Sequence, residues 1–142
     1  MQPRELSRIS IYTDGASRGN PGPAAAAAKI VDESGHTLRR VSRILGKKTN
    51  NEAEYEALII ALSVASEFTQ GQVQCFLDSE LVVKQLTGKY RVRDSRLVDL
   101  WKRVRSLQKR FKQVTFTHVS REDNNIREVD KQANRILDKM LL

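Results

Sequence analysis

Residues 8–31 read Arg8-Ile9-Ser10-Ile11-Tyr12-Thr13-Asp14-Gly15-Ala16-Ser17-Arg18-Gly19-Asn20-Pro21-Gly22-Pro23-Ala24-Ala25-Ala26-Ala27-Ala28-Lys29-Ile30-Val31. Arg8 to Tyr12 has the composition of a strand, and Ala24 to Val31 forms a second one, although five consecutive alanines are poor strand formers taken alone. Between them, Asp14 to Pro23 is dense in residues that permit positive φ or fix tight turns, and is expected to be a long hairpin loop. A third strand, Thr37 to Leu45, follows the turn Glu33-Ser34-Gly35-His36, so the first third of the chain is an antiparallel meander.

Beyond Lys47-Lys48-Thr49-Asn50-Asn51 the period changes. Tyr55, Leu58, Ile59, Leu62 and Ala65 recur at helical spacing and predict an amphipathic helix to about Phe68. Val73 to Leu77 is a short strand and Leu81 to Leu86 a helical segment. After Gly88, Val98, Trp101, Val104 and Leu107 mark a helix with a basic outer face. Val114 to Val119 is a strand, and a last helix from Ile126 puts Val129, Ala133, Ile136, Leu137 and Met140 on one face. Strands joined through helices run parallel with right-handed crossovers. The expected architecture is α/β: a five-stranded mixed sheet, three antiparallel strands and then two parallel ones, flanked by about four helices on both faces.

A chain of 142 residues can bury one core, and no linker or repeat divides it, so residues 1–142 are expected to form a single domain. No apolar run approaches membrane-spanning length, and the opening Met1 to Ser7 is polar, which predicts no membrane association and no export. Cys75 is the only cysteine, which excludes an internal disulfide and a thiolate metal cluster and fits a reducing, cytoplasmic setting. A net charge of +8 and an isoelectric point near 9.9 favour a polyanionic partner, above all nucleic acid.

Four acids stand where chemistry could sit. Asp14 ends the first strand and Asp78 the fourth; if those strands are parallel neighbours, their carboxylates share one edge. Glu54 lies in the first turn of the first helix and Asp130 near the start of the last, and either can point to that edge. Taken singly each has an ordinary reading. Asp14-Gly15 is a turn dipeptide, Glu54 the third helical residue of a capping box begun at Asn51, Asp78-Ser79 an N-cap pair, and Asp130 part of a solvated helix start. Taken together, four mutually repelling carboxylates need cations, and Mg²⁺, a hard ion with oxygen ligands, is the natural one. Two such ions clamp an in-line phosphoryl displacement, so phosphodiester hydrolysis is the predicted reaction.

Tyr12-Thr13-Asp14-Gly15-Ala16-Ser17 with Gly19-Asn20-Pro21-Gly22-Pro23, Thr49-Asn50-Asn51-Glu52-Ala53-Glu54, Leu77-Asp78-Ser79, and Asp130 with Ala133 resemble the signature blocks of ribonuclease H type 1, in the family's order and across nearly the whole chain. The resemblance implies a ribonuclease H-like fold and an endonuclease that hydrolyses the RNA strand of RNA/DNA hybrids, leaving 5′-phosphate and 3′-hydroxyl ends. It implies that Asp14, Glu54, Asp78 and Asp130 are catalytic and hold two Mg²⁺ ions, with Mn²⁺ as substitute. It also implies that Gly15, Ala16, Ser17, Asn50 and Asn51 line the RNA strand, that Thr49 and Asn20 seat a phosphate of the DNA strand, and that Ser79 belongs to the substrate site.

The chain departs from the family pattern in two places. Many members carry a His in the loop before the last helix; here that loop reads Ser120-Arg121-Glu122-Asp123-Asn124-Asn125, and His118, Arg121 and Glu122 are the candidates for its auxiliary role. The link Gly88 to Ser95 is too short for the basic handle some members insert, which makes this a handle-less form. Basic residues from Lys89 to Lys112 are suited to backbone phosphates, and Trp101 fits core packing better than stacking on a nucleotide. Double-stranded RNA is a second substrate the sequence leaves open. A catalytically silent nucleic-acid module is the rival from another class, and a monomer the default assembly.

Overall fold

The computed structural model describes residues 6–142. Of the polar opening segment Met1 to Ser7, Met1 to Glu5 lie outside the described residues. The elements are β1 (Leu6–Ser17), β2 (Gly22–Val31), β3 (Thr37–Lys48), α1 (Asn50–Ala65), β4 (Thr69–Leu77), α2 (Glu80–Leu86), α3 (Ser95–Gln108), β5 (Gln113–His118) and α4 (Asn124–Met140). The strands make one sheet in the order β3-β2-β1-β4-β5. β1, β2 and β3 pair antiparallel, while β4 runs parallel to β1 and β5 parallel to β4. This is the mixed sheet with four helices that the period changes predict. Among the described residues, no helix is long and apolar enough to cross a membrane.

The sheet separates two packing layers. On one face Ile9, Ile11, Val73, Cys75 and Leu77 pack against Tyr55, Leu58 and Leu62 of α1, Val82 and Leu86 of α2, and Leu100 and Val104 of α3. On the other face α4 lays Ile126, Val129, Ala133 and Leu137 over Ala25 and Ala27. Burying a large apolar side chain contributes ~1.5–3 kcal/mol, so this stripe fixes α4 more firmly than the ~1 kcal/mol of its Asp123 cap. Met140 departs from the expected buried face. It is 43% exposed in the final turn, beside Leu141, which is 50% exposed.

The alanine run resolves through this sandwiching. Ala24 to Ala28 are all at most 2% exposed, because Ala26 and Ala28 face the α1 side while Ala25 and Ala27 face α4. Small side chains on both faces of β2 let two helices approach one strand closely, and burial overrides the weak strand propensity of alanine.

Two expectations are corrected. The hairpin loop is short, only residues 18–21, because Asp14 to Ser17 continue β1 and pair with Ala27 to Ala24. Ladder partners for those backbone groups outweigh their turn propensity. The cap of α1 also lies earlier than expected. Thr49 is the N-cap: its hydroxyl accepts from Glu52 N at 3.2 Å, and the Glu52 carboxylate accepts from Thr49 N at 3.0 Å. Glu52 therefore closes the capping box, and Glu54, no longer needed for it, is released toward the site.

Candidate active site

Strand register brings the first two acids together. β1 and β4 pair in parallel up to Tyr12 opposite Phe76, whose rings stack 5.0 Å apart. Asp14 and Asp78 each lie two residues further on, so both project from the same face at the point where the strands part. β1 continues along β2, while β4 ends at Leu77 and turns into α2 through the Ser79 N-cap. A crevice at the carboxyl edge of parallel strands results, the place where such sheets hold ligands.

Glu54 arrives from α1 on the opposite layer, and Gly15 lets it in. A β-carbon at Gly15 would stand 2.2 Å from the Ala53 carbonyl carbon and 2.4 Å from Glu54 N. With none there, the helix backbone rests directly on β1, and Gly15 N donates to Glu54 Oε1 at 2.6 Å. The other oxygen, Oε2, is buried with no hydrogen-bond donor. Carboxylate oxygens of Asp14, Glu54 and Asp78 all lie within 4.8 Å of one another. Asp130, on α4, stands exposed at the rim with its Oδ1 accepting from Asn134 Nδ2 at 3.2 Å.

These acids line a cavity of about 420 Å³. Burial is the main cause that pushes the Asp14 carboxyl well above the usual carboxylate range, reinforced by the charges of Glu54 and Asp78. Burial raises Glu54 as well, with the Asp78 charge adding to it, while the Gly15 amide and the Arg121 charge oppose the rise. Crowded, desolvated carboxylates favour either a proton or a cation. A hard oxygen-ligand set with one buried oxygen lacking a donor fits a divalent cation.

The cavity wall also includes Gly15, Ala16, Ser17, Asn50, Asn51, Ser79 and Arg121 from the expected substrate and auxiliary residues. Asn50 and Asn51 occupy the first turn of α1 because Thr49 caps it. Ser17 Oγ donates across to the end of β3, to Lys48 O at 2.7 Å. Arg121 Nε lies 3.5 Å from Asp78 Oδ2.

Four expected residues lie outside the wall. Asn20 is exposed, its Oδ1 accepting from Asn50 N at 3.0 Å, and Thr49 is engaged as cap. His118 ends β5 opposite Leu77, exposed, and Glu122 is exposed in the turn before α4. Ile126 and Arg127 line the cavity without having been singled out. Their signal was their spacing from Asp130, four and three residues, which puts them on its side of α4.

Fold and cavity together define a class: an α/β domain that gathers carboxylates at the carboxyl edge of a mixed sheet. The family model described as Reverse transcriptase-like matches residues 12–135. The chain is 41% identical over 138 residues to Ribonuclease HI of Halobacterium salinarum, covering 97% of this chain and 68% of that protein. It is 33% identical to the Bifunctional protein Rv2228c of Mycobacterium tuberculosis over 92% of this chain but only 36% of that protein. Among solved structures, LC11-RNase H1, isolated from compost and crystallised in complex with RNA/DNA hybrid, superposes with a TM-score of 0.89 at 40% identity, covering 94% of this chain and 99% of that one. The chain belongs to the ribonuclease H family, type 1, and is an enzyme of that family.

Proposed function

We propose that this chain hydrolyses the RNA strand of RNA/DNA hybrids, leaving 5′-phosphate and 3′-hydroxyl ends, and that residues 1–142 act as one ribonuclease H domain. The observation that carries the reading is the buried group Asp14, Glu54 and Asp78, with an unpartnered Glu54 Oε2, in an open crevice flanked by asparagines. The hybrid held by LC11-RNase H1, at 40% identity, supports the choice of substrate.

Asp14, Glu54 and Asp78, with Asp130 at the rim, are the groups that would hold Mg²⁺, two ions in this reading, with Mn²⁺ as substitute. The chemistry such ions would supply there is a water acidic enough to attack at neutral pH and a counter-charge for the departing 3′ oxygen. The chain's own residues do the rest. Gly15 N fixes one Glu54 oxygen and leaves the other, also buried, without a donor. Asn50 and Asn51 carry amides that both donate and accept, as recognition of a 2′-hydroxyl requires. In this reading Gly15, Ala16, Ser17 and Ser79 form the floor under the RNA strand, while Asn20 and Thr49, outside the cavity, seat a phosphate of the DNA strand.

Arg121 takes the auxiliary role among the three candidates, since His118 and Glu122 do not line the cavity and Arg121 does. The protein works as a monomer in the cytoplasm, a setting that its single buried thiol tolerates. Asp14→Asn and Asp78→Asn are expected to cut a labelled hybrid at least ~10³-fold more slowly than wild type while keeping its circular dichroism spectrum. Full activity in either variant would contradict the assignment.

A further inference from the structure

Two cations line the acidic cavity, and they are differently engaged. Arg121 sits 3.5 Å from Asp78. Arg127, the fourth residue of α4, is exposed and has no ion pair or side-chain hydrogen bond among the described residues. Its neighbour Glu128 cannot serve it, because that carboxylate is held on the sheet side by Lys29 at 2.6 Å and Arg40 at 3.2 Å. The acid at this helix end is the N-cap Asp123, whose carboxylate accepts from Asn125 N and Ile126 N, so Arg127 in the first turn works against the helix dipole, which favours anions there. A cation in an electrostatically unfavourable place, beside a cavity and without a protein partner, is the kind of local inconsistency that marks function.

We propose that Arg127 is a substrate-phosphate ligand of this cavity, holding a phosphate of the RNA strand within one nucleotide of the cleaved bond. The inference rests on the hybrid-cutting reading above. Three residues before Asp130 on the same helix, the guanidinium shares the rim with that carboxylate. Acids in the crevice repel a phosphodiester; a planar donor fork at the rim offsets that repulsion and sets where the strand lies. Arg121 remains with Asp78, and Arg127 is the group left over for substrate.

The test measures hybrid binding in EDTA, where nothing is cut, by fluorescence anisotropy with wild type, Arg127→Ala, Arg127→Lys and Arg135→Ala. Arg135 is an exposed arginine of the same helix outside the cavity wall. Hybrids carry a single neutral methylphosphonate on a 2′-deoxy nucleotide, placed in turn at each phosphate around the cleavage point, beside matched strands with the ordinary phosphate. Arg127→Ala is expected to bind about tenfold more weakly and to lower the salt slope by about 0.9. Lysine should restore part of the affinity, and Arg135→Ala should match wild type. One RNA-strand methylphosphonate beside the cleaved bond should weaken wild type and leave Arg127→Ala unaffected, the non-additivity expected of a direct contact. The proposal is overturned if every methylphosphonate costs Arg127→Ala as much as wild type, if the cost follows a DNA-strand phosphate, or if Arg135→Ala loses as much. A wild-type protein that does not bind the hybrid overturns the underlying reading, and this inference with it.

Discussion

Asp14 and Glu54 are each held above their ordinary titration range, Asp14 by burial and then the charges of Glu54 and Asp78, Glu54 by burial and then the charge of Asp78. A carboxyl whose folded-state pKa is raised contributes stability that is complete below its unfolded value, about pH 4, and is lost as pH rises toward the folded value. The metal-free protein should therefore melt lower as pH rises from about 5 to about 9. Asp14→Asn, which removes one of the crowded charges, should flatten that decline by roughly 3 °C or more. Because a cation binds the ionised form, Mg²⁺ should raise Tm more at about pH 8.5 than at about pH 5.5. Thermal melts with and without EDTA check both, and a Tm that rises with pH in EDTA would refute the electrostatic account. Gly15 makes a second residue-level claim. With Ala53 backbone 2.2 Å from where a β-carbon would stand, Gly15→Ala must push α1 off β1. Denaturant unfolding should show a loss beyond ~3 kcal/mol, the upper range for forced overpacking.

At the scale of elements, α1 is the part on which the site turns. Thr49 and Glu52 close its capping box, and Asn50, Asn51 and Glu54 follow within two turns. Thr49→Ala should cost about 1 kcal/mol, read as a drop in Tm of ~3–6 °C. It should also slow cleavage, because the turn carrying both asparagines frays; unchanged melting would show the cap to be dispensable. Much of this was legible in sequence and some was not. The switch from strand to helical periodicity after Lys48 announces α1. Which of Thr49 or Asn51 caps it does not follow from spacing, since both begin acceptable boxes and the choice is made by how far β3 extends. Likewise Asp14 to Ser17 carry turn chemistry, and only the partner strand Ala24 to Ala27 makes them strand. Alanine looks weak in isolation because its advantage, the close approach of helices to both faces of β2, belongs to the assembled layers.

Across the whole molecule, the two-residue offset of Asp14 and Asp78 beyond paired Tyr12 and Phe76 depends on β1 and β4 being neighbours. The parallel crossover rule anticipates that, which is why the acid pair could be found before the fold. Arg127 had only its three-residue spacing from Asp130 to mark it, and a charged residue on a polar helix start gains meaning once α4 is laid against the crevice. The net charge of +8 favours a polyanionic partner. Raising salt from about 50 to about 200 mM should weaken hybrid binding at least tenfold or so, measurable by anisotropy, and a flat response would argue against phosphate contacts. The central claim is tested most directly by offering the protein four matched labelled duplexes in Mg²⁺ or Mn²⁺: RNA/DNA hybrid, RNA/RNA, DNA/DNA, and DNA with one ribonucleotide. The account predicts metal-dependent cutting of the hybrid's RNA strand to 5′-phosphate ends, with any cutting of RNA/RNA widening the substrate range. A hybrid that is bound and left intact under both metals would contradict it and make the chain a silent binding module.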